Sequence, residues 1–239
     1  MGEFRFKRFT VVNERSAMKV NTDGVLLGAA MTLKESDRRL LDVGTGTGTV
    51  ALMAAQRLEG NPCIIDAIDI DEPSASEAAG NFAASPWSGH LRARQISLED
   101  FAAEEDSRYD LIFSNPPYFD ESLLAPDERR SNARHTSTGL SYRELLEFAA
   151  RRLNSDGRVS VVLPSDQEKS LCRHARMNGL HLFRILRVRT VPRKAPVRII
   201  AEFSRHRCEL PDDRILTIQN EGKYTQEYLS LTREFYLFA

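Results

Sequence analysis

Hydrophobic and polar positions fall into short blocks along the chain. Arg39-Leu40-Leu41-Asp42-Val43 predicts a strand, Thr49 to Leu58 a helix stopped by Gly60 and Pro62, and Cys63 to Asp69 a second, isoleucine-rich strand. Pro73 suits the first turn of a further helix reaching about Ala84, whose alanines allow close approach to a sheet. Beyond Pro86 and Gly89 come a weaker strand, Leu91 to Ile96, and an apolar one, Tyr109 to Ser114. Ser141 to Leu153 is amphipathic at helical spacing: Tyr142, Leu145, Leu146, Ala149 and Leu153 form one stripe, and Ser141 with Glu144 makes a capping box. The turn Asn154-Ser155-Asp156-Gly157 leads into a buried strand, Val159 to Leu163. Leu180 to Arg189 and Val197 to Ser204 then alternate like two antiparallel strands at the end of a sheet. Strands and helices in this succession predict an α/β chain, a three-layer sandwich around a mostly parallel sheet.

Composition narrows the class. With 239 residues, 41% of them apolar and 28% charged, the chain is long enough for one domain with a real core. Its longest apolar-leaning run, Val25 to Leu33, is too short to cross a bilayer, and Glu3, Arg5, Lys7 and Arg8 stand where a signal peptide would need a greasy stretch. A cytoplasmic protein without membrane contact is expected. Cys63, Cys172 and Cys208 are far apart, and His90, His135, His174, His181 and His206 lack ligand spacing, so no protein-bound metal is expected. The net charge of −1 hides an asymmetry: Arg184 to Arg207 holds seven Arg and one Lys against the single acid Glu202, a local excess able to meet a phosphate backbone.

The first strand runs into Gly44-Thr45-Gly46-Thr47-Gly48, and a helix begins. Glycine admits a ligand that a Cβ would repel, and the helix N-terminus offers unpaired N–H groups to an anion. A purely structural tight turn is the plain alternative. A nicotinamide dinucleotide site would want glycine or alanine at the last position of G-x-G-x-x-G, where this chain has Thr49. With Asp42 two residues before the first glycine, the loop resembles motif I of class I S-adenosylmethionine-dependent methyltransferases, whose cofactor carries a carboxylate and an adenosine but no phosphate. A ribose diol is a paired donor and a carboxylate a paired acceptor, so Asp69, ending the second strand, is expected to clamp the ribose. A helix cap is its alternative, and Asp71 is expected to be the cap before Pro73. Where the family often ends the next strand in an Asp for the adenine amino group, this chain has Ser97 and Leu98, which leaves one hydrogen bond and a packing surface.

Ser114-Asn115-Pro116-Pro117-Tyr118 follows the Tyr109 to Ser114 strand directly. Pro116 keeps Asn115 out of the α region and two prolines stiffen the turn, so the Asn115 amide and the Pro116 carbonyl are expected at fixed points on the sheet's carboxyl edge. Both present oxygen acceptors. An exocyclic amine conjugated to a ring is a poor nucleophile; two acceptors gripping its hydrogens favour pyramidal geometry and aim its lone pair at an incoming methyl, while Tyr118 stacks on a planar substrate. A simple proline turn is the alternative. The tetrapeptide resembles motif IV of methyltransferases acting on planar amino groups: adenine N6, guanine N2, cytosine N4 or a glutamine amide.

From end to end the chain is similar to the bacterial tRNA1(Val) adenine-37 N6-methyltransferase family. The matching stretches are Phe9-Thr10, Ser16 through Gly28, the glycine loop, Ser85-Pro86-Trp87, Ser114 to Tyr118, Arg134-His135-Thr136, Val162-Leu163-Pro164 and the tail Phe235 to Phe238. The resemblance implies a Rossmann-like class I methyltransferase fold, with a mostly parallel seven-stranded sheet and an antiparallel final strand. Residues 1–36 would be an extension packing over the cofactor site and residues 37–239 the methyltransferase domain. S-adenosyl-L-methionine is the implied cofactor, held by Lys19, Thr22, Asp23, Asp42, Gly44, Gly46, Gly48, Asp69, Ser97, Leu98 and Asn115. Asn115, Pro116 and Tyr118 are the implied catalytic group. The implied partner is tRNA, touched by Arg134, His135, Arg193, Lys194 and Arg198.

Plainer readings stand beside these. Thr22 or Asp23 caps the apolar helix that follows; Arg129, Arg130, Arg134 and His135 form a solvated charge run in a long loop; Arg193, Lys194 and Arg198 decorate a hairpin tip. The expected activity is methylation of an adenosine N6 amine next to the anticodon. Its rivals are a glutamine methyltransferase of a protein such as a release factor, an rRNA guanine N2-methyltransferase, and an RNA-binding protein without catalysis.

Overall fold

A computed structural model of the chain describes residues 2–117 and 140–238. A hairpin of β1 (Glu3–Arg5) and β2 (Thr10–Val12) leads through an irregular strap to helix α1 (Thr22–Ala30). Strands and helices then alternate as β3 (Arg39–Val43), α2 (Thr49–Arg57), β4 (Ile64–Asp69), α3 (Glu72–Ala83), β5 (Leu91–Gln95), α4 (Leu98–Glu104) and β6 (Tyr109–Ser114). After the residues not described come α5 (Tyr142–Arg152), β7 (Leu153–Pro164), α6 (Glu168–Met177), β8 (His181–Arg189), β9 (Arg198–Ser204) and β10 (Asp212–Thr217). A small hairpin, β11 (Gln219–Asn220) and β12 (Lys223–Tyr224), and helix α7 (Gln226–Thr232) complete the order.

The central sheet runs β10-β8-β9-β7-β6-β3-β4-β5. Its ladders are parallel except where β9 meets β7 and β8, both antiparallel. The expected mostly parallel sheet with an antiparallel strand near its end is therefore present, and β10 adds an eighth strand beyond it at the edge, parallel to β8. Ser141 caps α5 in the expected capping box. The expected turn at Asn154 to Gly157 lies within β7 as an irregularity: Tyr109 pairs with Leu153, whereas Leu111 already pairs with Arg158.

Adjacent side chains on a strand point to opposite faces, so a sheet covered on both sides needs apolar residues in unbroken runs. Leu40, Leu111 and Phe113 pack with α1, α2, α3 and the C-terminal tail, whereas Leu41, Val43 and Ile112 pack with α4, α5 and α6. Arginines close the end of α1: Arg57 donates to the carbonyls of Gly28 and Met31, and Arg184 to that of Ala30, placing positive charge where the helix dipole is negative.

The strap is tied down by α3. The Glu77 carboxylate accepts from the backbone N–H groups of Glu14, Arg15 and Ser16 at 2.7, 2.9 and 3.0 Å. Asn81 accepts from Val12 N, donates back to Val12 O and donates to Thr47 O, joining strap to glycine loop. Burial opposes ionisation of Glu77, yet these donors hold its carboxyl below the usual range. Farther back, Lys7 N donates to Phe235 O at 2.8 Å, and Phe6 stacks on both Phe9 and Tyr236.

Candidate active site

At the carboxyl edge of β3, the chain turns through three glycines with φ of 71°, 54° and 79° at Gly44, Gly46 and Gly48. Gly48 shows why no other residue serves: a Cβ there would lie 2.4 Å from the Phe82 ring, in a left-handed conformation that side chains resist. Gly44 N and Thr45 N both donate to Ile68 O, which staples the loop to the end of β4. Asp69, one residue on, accepts from Gly46 N at 2.8 Å through one oxygen and from Asp71 N at 3.0 Å through the other. Asp69 is therefore half-buried and already bound to the loop, and burial pushes its carboxyl up against those donors. Asp71 caps α3 as expected, accepting from Ser74 N.

Asp42 lies beneath this loop, 2% exposed, accepting from Thr45 Oγ1 at 2.7 Å. Burial, with the charge of Asp69 adding to it and the Thr45 bond opposing it, pushes the Asp42 carboxyl up to about 7.

Opposite the loop stands the strap. Met18, Lys19, Val20, Asn21 and Gly24 face Asp42, Gly44, Gly46 and Val50 across a narrow cleft, and Asn115 completes its rim. Lys19 is exposed, its Nζ donating to Glu14 O at 2.7 Å. Ser114 Oγ donates to Val43 O at 2.6 Å, so the end of β6 is fixed beside the end of β3. Asn115 thereby reaches the strap: its Nδ2 is 3.5 Å from Asn21 Oδ1 and 3.6 Å from Met18 Sδ. Pro116 is buried directly behind it, and the described chain resumes at Leu140, beside Gly44.

The structure thus gathers Lys19, Asp42, Gly44, Gly46 and Asn115 around one cleft, with Asp69 bonded to its loop. Other expected residues lie elsewhere. Gly48 is the residue before the first turn of α2, and Leu98, the first residue of α4, is half-buried against the core on the α5 side of the sheet. Ser97 caps α4 by accepting from Asp100 N and lines a separate open depression with Ile70, Arg94 and Ile96. Thr22 is exposed on the first turn of α1. Neither Thr22 nor Asp23 caps that helix: Asn21 does, with φ −138°, ψ 166° and its side chain accepting from Gly24 N, because the cap must sit one residue before the first helical one. Asp23 instead pairs with Arg198, Nε to Oδ2 at 2.8 Å, so Arg198 is no bare hairpin tip but an anchor between β9 and α1. Arg193 and Lys194 are exposed in the β8 to β9 connection. Tyr118, Arg129, Arg130, Arg134 and His135 lie outside the described residues.

Sequence reasoning missed Asn21, Met18, Glu77 and Asn81. Only Asn21 carries a local signal, as a strong N-cap residue immediately before an apolar helix. Among the described residues no group of three or more His, Cys, Asp or Glu is placed to hold a metal ion, and no helix is long and apolar enough to cross a membrane.

A sheet with this strand order, a glycine loop at its first strand and an N-P-P turn at its fourth define a Rossmann-like methyltransferase of class I. Residues 15–177 match the methyltransferase small domain family. A tRNA1(Val) (adenine(37)-N6)-methyltransferase from Parabacteroides distasonis is 43% identical over 235 residues, covering 98% of this chain and 97% of that one. Its namesake from Bacteroides fragilis is 42% identical, over 98% and 97% of the two chains. The chain belongs to the tRNA1(Val) (adenine(37)-N6)-methyltransferase family. Among solved structures, a predicted O-methyltransferase from Agrobacterium tumefaciens superposes with a TM-score of 0.62 at 17% identity, covering 89% of this chain and 96% of the other, and shares the fold.

Proposed function

We propose that this protein uses S-adenosylmethionine to methylate the N6 amine of adenosine 37, next to the anticodon of tRNA1(Val), in the cytoplasm. The observation that carries this reading is the single cleft bordered by both the glycine loop and Asn115, where a methyl donor and a target amine meet. The name shared by relatives that match 98% of the chain supports adenine over the other planar amines.

The residues suit that cofactor. The glycines of the loop admit close approach, Asp69 retains acceptor capacity for a ribose diol, Lys19 offers a positive charge to an amino acid's carboxylate and Asp42 an acceptor to its ammonium. A pyrophosphate suits it less well, because Gly46 N–H is already given to Asp69 and two carboxylates stand at the loop. Residues 1–36 act as the cover of this half of the site, and the neighbouring depression that Ser97 shares with Ile70, next to Asp69, is where the adenine would reach. When bound, the cofactor supplies a methyl group made electrophilic by a sulfonium.

The chain's own work is alignment. The Asn115 Oδ1 and the Pro116 carbonyl accept the two hydrogens of the target amine, Tyr118 stacks on the base, and the lone pair is turned towards the loop. No strong base is needed, because the proton leaves after the new N–C bond has made the amine cationic. An anticodon-loop base is partly unstacked already, which lowers the cost of drawing it into the cleft. Arg134, His135, Arg193 and Lys194 are the cations assigned to RNA phosphates, while Arg198, through Asp23, joins β9 to α1.

Incubating the protein with isotopically labelled cofactor and unmodified tRNA1(Val), then digesting the RNA for mass spectrometry, should give N6-methyladenosine mapped to position 37. A methylated guanosine, methyl on a protein glutamine, or no product would overturn the reading.

A further inference from the structure

We propose that Asn21 is a positioning residue for methyl transfer: it fixes which way the amide of Asn115 faces. The inference rests on the reading that Asn115 receives the target amine. Both ends of the Asn21 amide are committed within the strap, Oδ1 accepting from Gly24 N at 2.9 Å and Nδ2 donating to Lys19 O at 3.0 Å. Reversing that amide would set donor against donor and acceptor against acceptor, so its oxygen is assigned by its neighbours.

With Asn21 Oδ1 fixed, the part of Asn115 that faces it at 3.5 Å is a donor, the Nδ2 group. Met18 Sδ, a weak acceptor 3.6 Å from the same nitrogen, adds to the preference. An amide is planar with its oxygen and nitrogen diverging from one carbon, so holding Nδ2 towards the strap also sets the direction of Oδ1. A target amine needs that oxygen; a reversed Asn115 would present it with hydrogens. The contacts are long for hydrogen bonds, as catalytic contacts commonly are before a cleft closes on its ligands. One residue therefore joins two tasks, starting α1 and orienting the side chain that receives the substrate.

The tasks separate by substitution. Serine keeps an N-cap but its short hydroxyl does not extend to Asn115, whereas aspartate keeps both the cap and an acceptor at full reach. Single-turnover methylation of tRNA1(Val) at saturating cofactor should fall roughly ten- to a hundredfold in Asn21→Ser. Affinity for S-adenosylhomocysteine, by calorimetry, should stay within about threefold, and the melting temperature within a few degrees. Asn21→Asp should recover most of the lost rate. Parental turnover in Asn21→Ser, an Asn21→Asp no faster than Asn21→Ser, or a loss of cofactor affinity matching the loss of rate would overturn the proposal. Asn115→Ala run in the same assay isolates the underlying reading: parental turnover there removes Asn115 from the chemistry, whereas a crippled Asn115→Ala beside an unimpaired Asn21→Ser removes only the orienting role.

Discussion

The glycine loop and the strap face each other across one cleft, yet they are held in place by different means. The loop grows out of β3 and is fixed by backbone bonds to the end of β4, by left-handed glycines and by a ring packed against Gly48. The strap has no regular structure between β2 and α1, and hangs from side chains of another element, Glu77 and Asn81 on α3, with Arg198 of β9 gripping Asp23 just inside α1. A wall made by the sheet is as rigid as the core, whereas a wall hung on side chains can be loosened without unfolding the protein. The loop side is thus suited to fixed recognition, and the strap side to opening for entry and exit of ligands.

The sharpest test of this division is where the walls meet. Asn115→Ala should cost two to three powers of ten in single-turnover rate, about the effect of deleting one preorganised hydrogen-bonding group. Cofactor affinity should change only a few-fold; comparable losses in both would mean that the walls do not divide the work. Next in size is Gly48→Ala. A Cβ 2.4 Å from the Phe82 ring at φ 79° should destabilise the whole domain by about 3 kcal/mol in urea denaturation. Glu77→Ala, its counterpart on the strap, should leave the global midpoint nearer the parent's while hydrogen exchange at Val12 to Ser16 accelerates. If Glu77→Ala unfolded the protein as readily as Gly48→Ala, the strap would be part of the core.

Acidity separates the walls as well. Asp42 is protonated more readily in the folded chain than in the unfolded one, so its contribution is full below about pH 4 and is lost as pH rises through about 7. Glu77 behaves oppositely, contributing above the unfolded value of about 4.3 and losing that contribution as pH falls through its depressed one. Thermal melts should therefore show Asp42→Asn flattening the profile between about pH 5 and 8, and Glu77→Gln altering it only below about pH 4. Identical profiles for both variants and the parent would remove these acids from the account. The smallest effect expected is at Arg198. Its half-buried pair with Asp23 should contribute at most about 1 kcal/mol in a double-mutant cycle, read as a modest weakening of S-adenosylhomocysteine binding. Arg193→Ala with Lys194→Ala should instead lower tRNA affinity and its salt dependence while sparing the cofactor. Loss of cofactor binding in that pair, but not at Arg198, would reverse the assignment.

What could be read from the sequence follows the same division. The strands and helices from Arg39 to Ser114 other than α4, the capping box at Ser141 and the strands at Leu180 and Val197 announced themselves through periodicity, since elements packed on a sheet carry their own pattern. Helices α4, α6 and α7 and edge strand β10 went unread, as did the β1 to β2 and β11 to β12 hairpins. β10 has exposed residues at Asp213, Arg214 and Ile215, which erases the buried run that marks an inner strand. Asp42, Gly44, Gly46 and Asn115 were legible because their motifs are contiguous. Lys19 was also named, but how the strap is held was not legible, because its holding groups, Glu77 and Asn81, are remote in sequence and look like any polar residues on a helix. Asn21, Thr22 and Asp23 are three plausible caps in a row, and only the backbone angles choose among them.

The meeting of Lys7 with Phe235, and of Phe6 with Tyr236, also sets an order of events during synthesis. The groups that staple the glycine loop, Ile68, Asp69, Asn81 and Phe82, are all present once α3 has emerged from the ribosome. The hairpin that leads into the strap must wait for residues made near the other end of the chain, a delay on the order of ten to fifty seconds at ordinary rates of elongation. A nascent chain passes through a stage in which the sheet and its loop exist while the strap's approach is not yet anchored. Glu77 and Asn81 can take hold of the strap as soon as α3 exists, whereas the hairpin finishes packing only after Phe235 and Tyr236 have followed.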